Sequence, residues 1–288
     1  MKDIALLIGN GVNTMSKGIS WEDLLDKIIH YCGSTSIKKD KSKPFPLFYE
    51  EIFAAALQSQ AIVKEVELKT FIGKQVSDIA RNQVHVMIQQ LAPAHVMTLN
   101  YEFLLEGKTP KQNEGLVREK LYSVFRKYTI GGTTYWHLHG DCRYPITINL
   151  GYEHYGGQLQ QMRNYVATAT NYANASNNKL PFVKRMEKPD KLTIQSWADL
   201  FFLKDIHILG ATLDFVETDL WWLLTFRARQ LRLNRRITIS NTIYYYIPKP
   251  FAASSRFKLD LLEANFVKVV EIDLPHSVNY YEKIIAGM

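Results

Sequence analysis

Two apolar runs in this chain end in polar residues that could carry out chemistry. Residues 95–99 lead into Asn100, Tyr101 and Glu102, and residues 136–141 contain His137 and His139. A neutral carboxamide can orient a water molecule or hold a hydroxyl group without adding charge, whereas a histidine titrates near neutral pH and can accept a proton. Open α/β sheets place their ligands at the carboxyl ends of parallel strands. The two strand ends are therefore candidates for a functional site.

The N-terminal residues predict a turn that could bind phosphate. Residues 4–8 are long enough for one buried parallel strand, and Gly9-Asn10-Gly11 breaks it before a helical pattern begins at Trp21, which Ser20 could cap. Glycines allow close approach of the backbone, and free N–H groups at a helix start attract anions. The full G-x-G-x-x-G spacing is absent, so a plain strand-to-helix turn without a ligand is the alternative.

The remaining pattern predicts an α/β protein with a Rossmann-like, doubly wound parallel sheet. Strands are expected at residues 206–209, 237–239, 243–247 and 267–272, with two short strands around Gly131 and Gly132, and helical patterns cover much of 47–91, 220–226 and 276–286. We expect residues 1–288 to form a single domain. It would carry a helical insertion at about 33–92 and an irregular insertion at about 150–195, with a helix at 159–167, over the site.

Composition narrows the class of protein. The chain is 47% hydrophobic and 22% charged, which is typical of a globular protein with a large core. It has no apolar stretch near about 18 residues and no signal-peptide pattern, so we expect a cytoplasmic protein without membrane contact. Its two cysteines, Cys32 and Cys142, are too few for a four-thiolate zinc site. The net charge of +7 favours anionic ligands or partners.

Four stretches, taken together, resemble the sirtuin family. The matching stretches are Gly9-Asn10-Gly11 with Gly18-Ile19-Ser20-Trp21 (the glycine loop), Thr98-Leu99-Asn100-Tyr101-Glu102 (TxNYD), His139-Gly140 (HG) and Gly210-Ala211-Thr212-Leu213 (G[TY]SL). Asn10, Asn13, Glu102 and Thr212 replace the alanine, serine, aspartate and serine of these motifs. The deacetylase branch carries a zinc module with four cysteines, which this chain cannot build. The chain is therefore similar to the SIR2-like effector domains of bacterial antiphage defence, which hydrolyse NAD+.

This resemblance implies an NAD+ glycohydrolase that releases nicotinamide and ADP-ribose, with NAD+ as a substrate and no metal. Cleavage of the nicotinamide–ribose bond passes through an oxocarbenium-like state, which requires polar groups around the ribose and a positioned water. In sirtuins the residues matching Asn100 and His139 do this work, so these two are the expected catalytic pair. Residues implied in nucleotide binding are Gly9, Asn10, Gly11 and Asn13 near the pyrophosphate, and Gly210 and Thr212 near the far phosphate or adenine ribose.

Alternatives remain open at this point for both the function and the partners. The same pocket would serve a protein deacylase or ADP-ribosyltransferase, and a non-catalytic sensor of NAD or ADP-ribose would also use it. The spacing of His137 and His139 would place both side chains on one face of a strand, so a metal site is an alternative. Few other potential metal ligands lie nearby in the sequence. His137 is otherwise expected in the core or behind the site.

An NAD+ hydrolase that depletes the cell's own pool must be gated. The α/β domain and its insertions occupy nearly all of residues 1–288, so we expect gating by a separately encoded sensor or by homo-oligomerisation. The expected contact surfaces are residues 150–190 and a basic cluster made of Arg227, Arg229, Arg232, Arg235 and Arg236. A solvated helix end is the alternative for that cluster, and contact with nucleic acid is disfavoured because few aromatic residues lie between the arginines.

Overall fold

The computed structural model describes residues 2–16, 21–33, 37–40, 42–61, 64–115, 121–169 and 180–288. In chain order its strands and helices are β1 (Lys2–Ile8), α1 (Trp21–Tyr31), α2 (Phe45–Gln58), α3 (Glu65–Ser77), α4 (Gln83–Leu91), β2 (Pro93–Thr98), β3 (Lys127–Ile130), β4 (Thr133–His137), α5 (Tyr152–Arg163), α6 (Phe182–Arg185), α7 (Trp197–Leu203), β5 (Ile206–Leu209), α8 (Thr218–Leu233), β6 (Ile243–Pro248), α9 (Lys249–Ala252), α10 (Arg256–Ala264), β7 (Val267–Ile272) and α11 (Val278–Ala286). Short 3-10 turns cover Asn10–Met15, Pro145–Thr147, Pro189–Lys191 and Ala253–Ser255, and a π-helical turn covers Asn164–Thr168.

The described strands form one seven-stranded open sheet in the order β3-β4-β2-β1-β5-β6-β7. Neighbouring strands run parallel throughout, except that the edge strand β3 pairs antiparallel with β4 across the turn at Gly131 and Gly132. The predicted α/β class is confirmed, and a mostly parallel open sheet flanked by helices is compatible with a Rossmann-like fold. Within the described residues, no helix is both long and apolar enough to cross a membrane.

Both faces of the sheet are covered, because alternate residues of a strand point to opposite sides. On β1, Ala5 and Leu7 belong to a core cluster that includes residues of α7, α8 and α10, whereas Leu6 and Ile8 belong to a second cluster with residues of α4 and α11. All four side chains are fully buried. Two-sided burial explains why this strand is a continuous apolar run rather than an alternating one.

The helices α1, α2 and α3 enclose a third apolar cluster of their own. Its members include Leu24, Ile52 and Ile72, and it extends to Tyr101 and Ile148, which lie beyond the carboxyl ends of β2 and β4. The helical segment predicted at about 33–92 thus packs against the chain that follows these two strands. It supports the side of the sheet where the predicted polar residues lie.

Two regions differ from the sequence-based expectation. Residues 237–239, predicted as a strand, have no strand structure, because Ile237 and Ile239 pack against the core from the loop that precedes β6. The segment at about 150–195, predicted to be irregular, contains the 12-residue helix α5, which starts earlier than the helix expected at 159–167. Residues 170–179 of that segment lie outside the described residues, as do Gly18, Ile19 and Ser20 of the predicted glycine loop.

Candidate functional site

Four neighbouring strands bring the sequence-predicted residues to one edge of the sheet. The strands β4, β2, β1 and β5 are adjacent and parallel, and they end at His137, Thr98, Ile8 and Leu209 respectively. The segments after these ends contain His139, Asn100, Gly9–Asn13 and Gly210–Thr212. From β1 the chain crosses to β2 on one side and later to β5 on the other. This is the kind of switch point where open α/β sheets bind ligands.

The glycines of the first turn allow it to pack directly on the turn after β5. A Cβ atom at Gly9 would lie 2.5 Å from Ala211 Cα, and one at Gly11 would lie 2.7 Å from the Gly210 carbonyl oxygen. The Gly9 and Gly11 amides donate to the Leu209 and Gly210 carbonyl oxygens at 3.0 and 2.7 Å. Both amides are therefore engaged in joining the two turns. Contact of these glycines with a pyrophosphate stays a prediction.

Asn13 is the centre of a buried hydrogen-bond network. Its Nδ2 donates to Asn10 Oδ1 at 2.9 Å and to Glu102 Oε1 at 2.8 Å, and its Oδ1 lies 2.9 Å from His85 Nε2. His85 Nδ1 accepts the Asn82 amide, so the ring is neutral with its proton on Nε2. Burial accordingly lowers the pKa of His85 to about 4 and raises that of Glu102. The Asn13 amide is thus used within the fold, and only Asn10 of this network is exposed.

Asn100 lies buried directly after β2, with its backbone fixed on both sides. Its amide donates to Thr98 Oγ1 at 3.0 Å, and its carbonyl oxygen lies 3.2 Å from His137 Nδ1. The side-chain Nδ2, in contrast, is buried without a hydrogen-bond partner in the described structure. A buried amide without a partner costs roughly 1–3 kcal/mol, so the site favours a ligand that accepts a hydrogen bond there.

His137 and His139 have different environments, although they are only two residues apart. The buried His137 ring contacts Glu106 Oε1 through Nε2 at 2.8 Å, and both of its nitrogens face oxygen acceptors. Burial alone would lower the pKa of His137, but the Glu106 carboxylate outweighs burial and raises it. The Glu106 carboxylate and the Asn100 carbonyl oxygen thus favour the protonated form of the buried His137 ring. Its position agrees with the expected role behind the site.

His139 forms a dyad with a carboxylate from α8. Its Nε2 lies 3.0 Å from Asp219 Oδ2, and the edge of the Tyr155 ring packs against it with the ring centroids 5.2 Å apart. Both members of the dyad are buried. Burial would lower the pKa of His139, but the Asp219 carboxylate reverses this effect and raises it. Asp219 fixes the ring orientation and stabilises its protonated form, which suits His139 to proton transfer.

Buried polar atoms without hydrogen-bond partners concentrate around His139. Two of these atoms belong to Asn149 and Gln158, which form hydrogen bonds with the backbone at and next to His139. The Asn149 backbone amide donates to the His139 carbonyl oxygen, and Gln158 Nε2 donates to the Leu138 carbonyl oxygen. Among the described residues, five of the orphaned atoms at this edge are Asn149 Oδ1, Gln158 Oε1, Asp219 Oδ1, Glu217 Oε2 and Asn100 Nδ2. Native folds leave few such atoms unpaired, so this concentration indicates a site for a polar ligand.

Sequence reasoning missed four of these five residues. Asp219 and Glu217 belong to the start of α8, Gln158 to α5, and Asn149 to the loop before α5. Searching the ends of predicted strands finds only the first polar residues after each strand. It gives no information on side chains that helices from other parts of the chain bring to the site. A signal did exist after β5, where Asp214, Glu217 and Asp219 follow the predicted Gly210–Leu213 turn within ten residues.

The turn after β5 is shaped by unusual backbone angles. Gly210 has φ +62°, and a Cβ atom there would lie 2.9 Å from Val12 N. Thr212 is exposed, and its carbonyl oxygen accepts Lys258 Nζ at 2.8 Å. Thr212 is therefore accessible to a ligand at the rim of the site. Its contact with the far phosphate or adenine ribose stays a prediction.

One member of the predicted basic cluster is not on the surface. Arg227 is buried and donates from Nε to the Phe201 carbonyl oxygen at 2.8 Å and from Nη2 to that of Asn241 at 2.6 Å. The expectation that it forms part of a contact surface is wrong, because its guanidinium ties α8 to α7 and to the loop before β6. The exposed members are Arg229, Arg232, Arg235 and Arg236.

The residues beside the two histidines are committed to the fold. Asp141 Oδ2 accepts the Tyr128 hydroxyl at 2.7 Å and lies 3.4 Å from Arg126 Nε, and Asp141 Oδ1 accepts two backbone amides. Burial raises the pKa of the Cys142 thiol to about 11, which disfavours the thiolate that a metal requires. Within the described ranges, no cluster of three or more histidine, cysteine or acidic side chains has the arrangement of a metal site.

Comparisons with known proteins add no family to this description. No protein-family model matches the chain, and no curated protein matches its sequence. The residues at the sheet edge and their geometry are therefore the basis for assigning a function.

Proposed function

We propose that this protein is an NAD+ glycohydrolase, which cleaves the nicotinamide–ribose bond to give nicotinamide and ADP-ribose. The observation that carries the proposal is the concentration of unpartnered buried polar atoms around His139 at the carboxyl edge of the sheet. A ribose offers hydroxyl groups that both donate and accept hydrogen bonds. It is thus chemically matched to a pocket that presents an amide donor from Asn100 together with amide and carboxylate acceptors.

Each step of the proposed reaction has a residue suited to it. The bond between the anomeric carbon and the nicotinamide nitrogen breaks, and its electron pair leaves with the neutral nicotinamide. A water oxygen then bonds to the anomeric carbon of the oxocarbenium-like state, and its proton passes to His139. Asn100 Nδ2 can orient that water or hold a ribose hydroxyl, and Asp219 stabilises the imidazolium that forms on His139.

The surroundings of the pocket would limit competing reactions. Tyr155 on α5 packs against His139, and both side chains are nearly inaccessible to solvent. Excluding bulk water strengthens the interactions of Asn100 and Asp219 with a developing charge. The segment predicted to lie over the site supplies this cover through Tyr155 and Gln158.

The resemblance to defence effectors also suggests a role for this activity in the cell. We propose that the enzyme depletes NAD+ in an antiviral abortive-infection response and is gated by a partner protein or by self-assembly. The exposed arginines at and beyond the end of α8 are candidate contacts, together with the segment at 150–190. Under this proposal the isolated monomer turns over slowly.

The test is nicotinamide release from NAD+, followed by chromatography without any acyl-lysine substrate. We expect slow release at dilutions where light scattering shows a monomer and faster release in the active assembly. His139→Ala and Asn100→Ala should each reduce turnover by ~10² or more while the fold is retained. His95→Ala is the matched control, because this half-buried histidine lies towards the opposite end of β2, beside Trp136.

Other results of these assays would replace or contradict parts of the proposal. Release that requires an acyl-lysine would replace the hydrolase proposal with deacylation, and binding without turnover in every assembly would leave a sensor. Near wild-type turnover in either site variant would remove that residue from the mechanism. Fast turnover by the dilute monomer would contradict gating.

A further inference from the structure

Glu217 is the site carboxyl that the proposed reaction leaves without a role. It immediately precedes α8, and its amide donates to the Asp214 carbonyl oxygen at 3.0 Å. Its side chain makes no capping hydrogen bond to the helix, and Oε2 is buried without a partner in the described structure. The residue as a whole is half-buried. Glu217 therefore places a buried carboxylate oxygen without a hydrogen-bond partner at the start of α8.

Two other carboxylates and two basic side chains face Glu217. It interacts with His139, Asp219, Asp214 and Lys258, and also lies near the uncharged rings of Tyr101, Tyr155 and Tyr245. His139 Nε2 lies 3.0 Å from Asp219 Oδ2, and His139 starts neutral in the proposed reaction, so Asp219 already contributes one negative charge. Asp214 and Lys258 are opposite in sign, and Asp214 is exposed. An ionised Glu217 therefore adds a second negative charge beside His139.

We propose that Glu217 makes this site selective for the oxidised, cationic form of the nicotinamide nucleotide. The inference rests on the proposed function, which places the nicotinamide riboside end near Asn100 and His139. NAD+ carries a positive charge on its pyridinium ring, whereas the dihydropyridine ring of NADH is neutral. A carboxylate beside this ring favours NAD+ and the oxocarbenium-like state formed from it, and it gives no such advantage to NADH.

The other nearby carboxyl groups are poorly placed for this task. Asp219 is committed to His139, and Asp214 is exposed, so water screens its charge. Glu217 combines a buried oxygen that has no partner with a position beside the dyad. Asn100 Nδ2 and Asp219 Oδ1, both on buried residues and both unpartnered, independently mark the same place as a ligand site.

Selectivity of this kind depends on pH. Burial raises the pKa of Glu217 to about 7, and the carboxylates of Asp219 and Asp214 add to this effect, whereas His139 and Lys258 oppose it. Glu217 therefore becomes neutral as the pH falls below about 7. The preference for the cationic nucleotide should then weaken from pH 8 to pH 6 in the wild-type chain.

Titration calorimetry on the intact chain tests the inference without requiring turnover. The three probes are carba-NAD+, NADH and ADP-ribose. Carba-NAD+ keeps the pyridinium charge but lacks the ribose ring oxygen needed for cleavage, and ADP-ribose has no nicotinamide. Glu217→Gln removes the charge and keeps the shape. Asp214→Asn is the matched control, because it removes an exposed charge nearby and keeps the Oδ1 that accepts the Val216 amide. Thermal melting checks that both variants fold.

We expect wild type and Asp214→Asn to prefer carba-NAD+ over NADH at pH 8. The preference of Glu217→Gln for carba-NAD+ should be about tenfold smaller than that of wild type. Its affinity for ADP-ribose should be unchanged, and its preference should depend less on pH from 6 to 8, because Glu217 no longer titrates. An equal preference in Glu217→Gln and wild type, or a wild-type preference that does not change with pH, would overturn this inference alone. Failure of all three probes to bind wild type would overturn the proposed function with it.

Discussion

The imidazole rings of His137 and His139 lie two residues apart on the chain but face different carboxylates. Glu106 holds His137 behind the site, and Asp219 holds His139 within it. A strand would have placed both rings on one face, but β4 ends at His137, and Gly140, with φ +92°, turns the chain immediately after His139. The end of the strand therefore separates the histidine paired with Glu106 from the histidine that we propose acts in catalysis.

His137→Ala is expected to affect stability more than turnover. The substitution leaves Glu106 buried without its partner, which should cost about 3–5 kcal/mol of unfolding free energy. Because the folded-state pKa of His137 is raised above 6.5, its stabilisation is complete below pH 6.5 and is lost as the pH rises through the raised value. The difference in melting temperature from wild type should therefore shrink at alkaline pH.

Thermal melting across pH measures this effect. The control is Asp260→Asn, which removes one partner of an exposed ion pair with Arg256 and should change the melting temperature little at any pH. An equally small change for His137→Ala would show that its ion pair with Glu106 does not stabilise the fold.

The sequence located candidate site residues correctly at the sheet edge where the residue directly follows a strand. Asn100 and His139 satisfy that condition, and the structure brings both to the same edge of the sheet. Asp219 and Gln158 do not, because packing of α8 and α5 on the sheet brings them to His139. Such long-range contacts leave no local pattern in a single sequence.

At the scale of elements, the site depends on two turns that touch through their backbones. The turn after β1 meets the turn after β5 at Gly9, Gly11 and Gly210, where the absence of side chains permits direct contact. The same glycines led to the phosphate-loop hypothesis from sequence. Their spacing correctly located a tight turn, but the sequence alone could not distinguish contact with a ligand from contact with a second turn.

Gly11→Ala should separate these two turns. The added methyl group would lie 2.7 Å from the Gly210 carbonyl oxygen and 2.8 Å from its Cα, so the backbone must shift at a cost of about 1–3 kcal/mol. We expect a lower melting temperature and weaker binding of ADP-ribose, which calorimetry measures on the same samples.

Gly156→Ala provides the matched control within α5. No atom lies within 4 Å of a Cβ atom added there, and replacing a glycine by alanine inside a helix stabilises it by about 1 kcal/mol. A Gly11→Ala chain as stable as the Gly156→Ala chain would show that contact between the turns is not needed.

Strand prediction gave the observed bounds of β5 and β7, and it found β1 through the continuous apolar run that burial on both faces requires. It failed at residues 237–239, because Ile237 and Ile239 bury their side chains against the core without joining the sheet. The tyrosines of β6 alternate between the two faces of the sheet, since Tyr245 is buried and donates to the Ala211 carbonyl oxygen, whereas Tyr244 and Tyr246 stack on His207. A hydrophobic pattern in the sequence indicates which side chains are buried. It does not show whether the backbone forms hydrogen bonds with a neighbouring strand.

At the scale of the whole molecule, one edge of the sheet brings together residues that are distant in sequence. Asn100, Asn149 and Glu217 come from three separate parts of the chain and contribute buried polar atoms to the same region. A fold that buries these atoms without partners sacrifices stability unless a ligand satisfies them. We propose that this ligand is the nicotinamide ribose of NAD+.

A crystal structure of the intact chain with carba-NAD+ tests that claim most directly. The account predicts the nicotinamide riboside end beside His139, with its hydroxyl groups within about 3.2 Å of Asn100 Nδ2 and of oxygens from Asn149 or Gln158. A nucleotide bound away from this edge, with these atoms still unpartnered, would contradict it.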